Sequence, residues 1–275
     1  MRALRFSVES VAFWAPSLPG WSIARAAFRG EGEPVEPPAK RPAPEILAPA
    51  ERRRAPDSVA LALEVAAAAV RESGRDAAVL ASIFTSAHGD LAVNDYMCST
   101  LASQPTLISP TRFHNSVHNA PAGYWTIATG CMAASTALSA FDASFAAGLL
   151  EAASQCQADD RAVLLVAFDV QAVGALASVT ASSGLLATAF VIAPTPAAGV
   201  ATQPGFEATL VSGPATAAPL HSSAARALAG NAMADALPFL EALARGATEP
   251  LDLPLSRSLA LRLLPRQPGW IANRA

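Results

Sequence analysis

Three places in this sequence hold side chains of the kinds that do chemistry. The stretch Ser135–Ala153, "STALSAFDASFAAGLLEAA", reads as a short buried strand, a sharp turn and a helix. Many enzymes present a nucleophile on that geometry, but the residue at the turn is Asp142, a weak nucleophile beside Cys or Ser. A carboxylate at the start of a helix gains from the helix dipole and the free N–H groups, so capping is its simplest role. Cys131, in "ATGCMAAST", is the competing nucleophile. With His118 assisting, Cys131 or Asp142 would make an acyltransferase or thioesterase, an alternative that predicts acylation of the isolated protein and its loss in Cys131→Ala. As a plain core residue, Cys131 is a small side chain in the loop between a helix and a strand.

His114 and His118 stand four apart and could share a helix face, yet no HExxH motif or cysteine cluster completes a metal site. Capping and packing in a polar loop are their expected roles, and no metal is expected. There is no P-loop and no GxGxxG after a strand, so nothing supports a nucleotide or other cofactor. "ASSG" at 181–184 lacks the GxSxG pattern of a nucleophile elbow and reads as a turn.

The composition bounds the rest. The chain has 275 residues, 52% hydrophobic and only 15% charged, with a net charge of −3. That is enough for a large core, with helices buried on more than one side or facing a partner. The mildly acidic balance argues against nucleic acid and anionic membranes. Lys40 is the only lysine among abundant arginine and alanine, a sign of genomic base composition. Cys98, Cys131 and Cys156 form no CxxC pair, as expected in a reducing compartment. The first residues, "MRALRFSVESVAFW", lack the apolar core of a signal peptide, and no run is long and apolar enough for a membrane span. A cytoplasmic protein is the expectation.

The elements that must position these residues follow from periodicity. Residues 4–14 alternate as a half-buried strand. Residues 15–57, rich in Pro, Glu and Arg, predict a surface excursion with few core contacts. Asp57 is placed to cap a helix over 58–73, ended by Gly74. A strand at 78–85 and a helix near 91–103 come next, then a loop over 108–130 leading into a helix with Pro121 in its first turn. After the strand–turn–helix comes an apolar strand at 162–168. Beyond 185, "LLATAFVIAP" and "FEATLVSG" read as strands paired with each other, 222–245 as a helix or kinked pair interrupted by Pro238, and 258–265 as a last strand. Strands alternating with helices predict one α/β layered domain over 1–275 with a mostly parallel central sheet.

The segment from Ile108 to Phe168 also resembles a known family. Ile108-Ser109-Pro110, Asn119, Ala122-Gly123, Thr126-Ile127 and Gly130 stand in order, followed by "STALSAF", "ASFAAGLLEAA", the turn "ADDRA" and "VLLVAF". In this it is similar to the N-terminal half of β-ketoacyl synthases, the thiolase-fold condensing enzymes of fatty-acid and polyketide synthesis. On that register the catalytic cysteine position falls on Asp142, with Ser144 two residues later. Cys131 would leave too long a spacing to the strand at 163.

The resemblance implies a framework kept and condensing chemistry lost, since the family's paired histidines belong to a C-terminal half absent here and His221 lacks their motif. "NSVHNAPAGYW" and "FDASFAAGLLEA" resemble short β-ketoacyl synthase-like N-terminal domain proteins of aryl polyene gene clusters, similar to chain-length factors of type II polyketide systems. The implied role is a non-catalytic partner of a ketosynthase in a heterodimer, meeting acyl carrier protein through the complex and shaping its acyl tunnel. By position, the implied interface and tunnel residues are Tyr96, Met97, Arg112, Phe113, His118, Ser135, Phe141 and Ser144. A homodimeric carrier-binding module is a third reading, with only Arg52–Arg54 as a basic cluster.

Overall fold

The computed structural model describes residues 3–195, 203–213 and 217–266. In chain order, β1 (Leu4–Ala15) and the short β2 (Leu18–Pro19) lead to α1 (Trp21–Arg29), α2 (Pro49–Arg54) and α3 (Asp57–Ser73). Then come β3 (Ala81–Thr85), α4 (Leu91–Ser103), α5 (Pro110–His114), α6 (Ala120–Thr129) and β4 (Ser135–Leu138). The helix after the turn is α7 (Ser144–Asp159), followed by β5 (Val163–Asp169), β6 (Leu186–Pro194) and β7 (Gly205–Ser212). The chain continues with α8 (Ser223–Ala227), α9 (Leu237–Arg245) and a final hairpin of β8 (Leu251–Ser256) and β9 (Leu259–Arg266).

One sheet joins all the strands in the order β4-β3-β5-β6-β1-β7-β9-β8, with β2 paired to β1. Only β4–β3–β5 pair in parallel, and the other neighbours are antiparallel. Strand direction is nonetheless mostly shared, because β4, β3, β5, β1 and β9 point one way and β6, β7 and β8 the other. The sheet is mixed.

Both faces are covered, which explains why β5 is apolar at every position but its last, Asp169. Val163, Leu165 and Ala167 enter the core under α1, α7 and α9, while Leu164, Val166 and Phe168 enter the core under α3 and α6. On β1 the same alternation changes parity. Phe6 and Val8 share a face with Phe13 and Ala15, and a register shift between Val8 and Ser10 accommodates the extra residue. Phe145, Phe190, Phe206 and Phe239 interlock in the first core with ring centroids 5.1–5.8 Å apart. Each ring buried there contributes about 1.5–3 kcal/mol.

Several expectations need correction. Residues 15–57 are not a bare excursion: α1 buries Ala24, Ala27 and Phe28 at i, i+3, i+4 spacing, and Phe28 meets Phe13 edge to face at 5.5 Å. Asp57 does not cap α3. It lies inside the helix, Pro56 holds the cap position, and Arg41 Nε ion-pairs with Asp57 Oδ1 at 3.0 Å. β6 and β7 do not pair with each other, because β1 lies between them. Of 222–245, read as a helix or kinked pair, the structure makes two separate helices, α8 and α9, and Pro238 lies in the first turn of α9 instead of marking a kink. β8 is a strand that periodicity missed, its Pro254 tolerated at the sheet edge. β4, expected to be buried, is the opposite edge of the sheet and is half exposed, since no strand covers its outer side. Among the described residues, no helix is long and apolar enough to cross a membrane.

Candidate functional site

The turn after β4 forms because its first residue is driven into an unusual backbone conformation and then held there. Phe141 has φ 56°, the left-handed region that a bulky side chain enters at a cost of order 1 kcal/mol. Ser144 braces the turn. Its Oγ accepts the Ala140 N–H at 3.0 Å and donates to the Phe141 carbonyl at 2.7 Å, while Thr85 Oγ1 donates to the Ser144 carbonyl at 2.9 Å. Ser144 is fully buried, so its expected place at an interface is corrected to a place inside the elbow. Its neighbour Asp142 is exposed at the tip.

Asp142 is not the cap of α7. The cap position, Ala143, offers no side chain. The first turn is served from far along the chain by Asp235, whose Oδ2 accepts the Phe145 N–H at 2.9 Å. Sequence reasoning missed Asp235 because a cap supplied across 90 positions leaves no local pattern. Burial pushes the Asp235 carboxyl up to about 8, against the opposing pull of its hydrogen bonds from Phe145 and Ala146. Its Oδ1 has no hydrogen-bond partner among the described residues. Gly148 lets α7 approach the sheet, since a Cβ there would meet Thr85 Cγ2 at 2.9 Å and Leu165 Cδ1 at 3.2 Å.

Two strand-end loops converge beneath the elbow. Asp169 ends β5 and ties down the loop after β3: Ser86 Oγ donates to its Oδ1 at 2.7 Å and the Ala87 N–H to its Oδ2 at 2.8 Å. Burial raises Asp169 to about 6, and these hydrogen bonds oppose the rise. His88, in the same loop, sets its ring edge to face against Phe141 at 5.4 Å and hydrogen-bonds Thr180 Oγ1. Burial lowers the His88 pKa, while the nearby Asp142 carboxylate pulls it upward. A charged residue closing the otherwise apolar run "VLLVAFD" was the one sequence signal that could have pointed to Asp169.

The remaining candidates divide into two groups. Tyr96 and Arg112 are brought together, with the guanidinium 4.1 Å from the ring centroid, and Tyr96 Oη accepts the Ser109 N–H at 3.0 Å. Met97 is half-buried, and Phe113 is exposed. His118 Nε2 hydrogen-bonds the Ser86 carbonyl at 3.1 Å, and His114 rests against Tyr124. Ser135 Oγ accepts from Ser82 Oγ at 3.0 Å across the β3–β4 pair. Cys131 is buried and its Sγ donates to the Leu80 carbonyl at 3.5 Å, so no histidine hydrogen-bonds it among the described residues. No group of three or more His, Cys, Asp or Glu side chains could hold a metal among the described residues.

Exposed apolar side chains concentrate in one stretch. Leu101, Leu107, Phe113, Val117, Ile127, Met132 and Phe141 all lie between α4 and the elbow. The same stretch of chain contains β4, an edge strand of the sheet.

The profile of the β-ketoacyl synthase N-terminal domain matches residues 27–251. The chain belongs to that family. Its fold is similar to a chain in the structure of a ketosynthase (ApeO) in complex with its chain length factor (ApeC) from Xenorhabdus doucetiae. The TM-score is 0.72 at 23% identity, over 95% of this chain and 99% of that one. It is also similar to a chain of the ishigamide ketosynthase/chain length factor, with TM-score 0.69 at 14% identity over 96% and 99%. A third structure holds AntDE with AntF, a type II polyketide acyl carrier protein in complex with its ketosynthase, and gives 0.70 at 12% identity over 96% and 99%. At these identities the likeness is one of fold, and it confirms the thiolase-like α/β architecture. No curated protein sequence matches at a significant level.

Proposed function

We propose that this member of the β-ketoacyl synthase N-terminal domain family is a non-catalytic, chain-length-factor-like partner of a ketosynthase. It shapes the acyl tunnel at a heterodimer interface in aryl polyene synthesis, and acyl carrier protein meets it through the complex. The observation that carries the reading is the stretch of chain from α4 to the elbow, which holds seven exposed apolar side chains, an edge strand and the exposed carboxylate of Asp142. Apolar surface of that kind is costly to leave in water and is typical of obligate interfaces.

The mechanism is structural. A condensing enzyme needs a thiolate to take the acyl group as a thioester, and Asp142 stands where the family's cysteine falls. The carboxylate forms no stable thioester equivalent, so the elbow is left to hold shape. Ser144 fixes its backbone from within, Asp235 caps α7, and His88 with Thr180 props Phe141 outward. Phe141, Phe113 and Ile127 then offer rigid apolar surface that a partner can close over, and the size of those side chains sets the room left for an acyl chain.

The buried, carbonyl-bonded Cys131 speaks against an acyltransferase or thioesterase that uses it as nucleophile. The test is reconstitution with a candidate partner ketosynthase and acyl carrier protein. Asp142→Ala in this chain is expected to leave condensation intact, whereas loss of the ketosynthase's own cysteine abolishes it. Loss of turnover in Asp142→Ala complexes of normal stoichiometry would show that the carboxylate takes part in the reaction.

A further inference from the structure

From Tyr96 to Phe141, the stretch that carries most of the exposed apolar side chains, Arg112 is the only Asp, Glu, Lys or Arg residue. The two histidines there are engaged within the chain, His114 against Tyr124 and His118 Nε2 on the Ser86 carbonyl. Interface cores are depleted of charge, with arginine the exception. A single exposed guanidinium in so apolar a surface fits that pattern.

Arg112 is also held in place. Its guanidinium lies 4.1 Å from the Tyr96 ring centroid. Tyr96 is itself pinned by the main chain, its Oη accepting the Ser109 N–H at 3.0 Å and donating to the Leu107 carbonyl at 3.4 Å. Leu107 and Phe113, joined to the same cluster, are 63% and 62% exposed. Stacking occupies one face of the guanidinium and leaves its in-plane N–H donors to other partners. Among the described residues Arg112 forms no ion pair. The carboxylates of the neighbouring elements are placed elsewhere: Asp57 on Arg41, Asp90 under Ser58 Oγ and the Val93 N–H, and Asp95 against Gly174. In water this arrangement costs little. Once a partner covers it, an unpaired guanidinium loses its hydration, which offsets what the apolar neighbours gain unless a carboxylate meets it.

We infer that the surface covering this stretch presents an aspartate or glutamate to Arg112, which sets the electrostatic specificity of the interface. The inference rests on the partner-subunit reading and deepens it. The occupant is an apolar surface of the ketosynthase with a carboxylate set into it, taking the guanidinium edge-on through two parallel N–H···O bonds. A purely apolar or a basic surface is rejected at this place.

The experiment uses the complex with a candidate partner ketosynthase from the same organism. Lys40 is the only lysine in the chain, so Arg112→Lys adds a second side-chain amine, which a carbodiimide joins directly to a carboxyl in contact with it. Mass spectrometry of the digested complex is expected to show a cross-link from position 112 to an Asp or Glu of the ketosynthase, absent from the wild-type complex. In competition with wild type for limiting tagged ketosynthase, Arg112→Gln is expected to be captured at least about 30-fold less well. Arg112→Glu is expected to lose more, and the charge-conserving Arg112→Lys less. The cross-link, read on that charge-conserving variant, decides the matter if Arg112→Gln fails to fold. Equal capture of a folded Arg112→Gln, or an Arg112→Lys complex with no cross-link from position 112 to the ketosynthase, would overturn this inference and leave the partner reading standing. Failure of the wild-type chain to bind any ketosynthase of that organism would overturn both.

Discussion

The apolar stretch beside β4 can be tested with the double substitution Ile127→Ser/Met132→Ser. Ile127 sits in the last turn of α6 and is 79% exposed, while Met132, in the link into β4, is 95% exposed. Neither supports the core of this chain, so its folding stability should change by no more than about 0.5 kcal/mol. Covering a large apolar side chain completely is worth about 1.5–3 kcal/mol. Scaled by the exposed fractions, Ile127 stands to contribute about 1.2–2.4 and Met132 about 1.4–2.9 kcal/mol to a partner that buries them. Together that weakens association by roughly 70-fold to 5,000-fold, at tenfold per 1.4 kcal/mol. Wild-type and variant chains, distinguishable by mass, are co-expressed with limiting tagged ketosynthase, and the captured ratio is read by mass spectrometry. A ratio near one with both chains folded would refute the placement of the interface, and an unfolded variant would show that these side chains serve the monomer.

Other predictions test the elbow. Gly148→Ala forces a methyl against Thr85 and Leu165, and thermal unfolding should register a loss of about 1–3 kcal/mol; an unchanged melting temperature would mean α7 lies farther from the sheet. Asp235 holds its proton in the folded state up to about 8, whereas the unfolded chain releases it near 3.8. Its contribution is therefore fully present below about pH 4 and declines as pH rises towards 8. Asp235→Asn keeps an acceptor for the Phe145 N–H and should flatten the fall in stability as pH rises towards 8; an unaltered slope in chemical denaturation would contradict this. Cys131→Ala should leave acyl transfer by the reconstituted complex unchanged, and loss of acylation on this chain would revive the thioester alternative.

The elbow was legible because its parts are neighbours in sequence. Asp142 stands between a short apolar-polar strand and a long alanine-rich helix, and Gly130 and Gly74 close helices where left-handed caps require them. The cap of α7 was not legible, since Asp235 arrives from another part of the fold. Strand order was hidden for a similar reason: nothing local to β6 or β7 says that β1 enters between them. Helix α1 was masked by the proline and charge around it, although Ala24, Ala27 and Phe28 carry its apolar spacing. Exposure was misread at β4, where short apolar composition suggests burial and only the end of the sheet reveals an open edge.

The most direct test of the central claim is native mass spectrometry of this chain co-expressed with a candidate partner ketosynthase from the same organism. The account predicts a 1:1 heterodimer, with the isolated chain aggregating through its uncovered α4-to-elbow surface. A well-behaved monomer or homodimer that ignores the ketosynthase would contradict it.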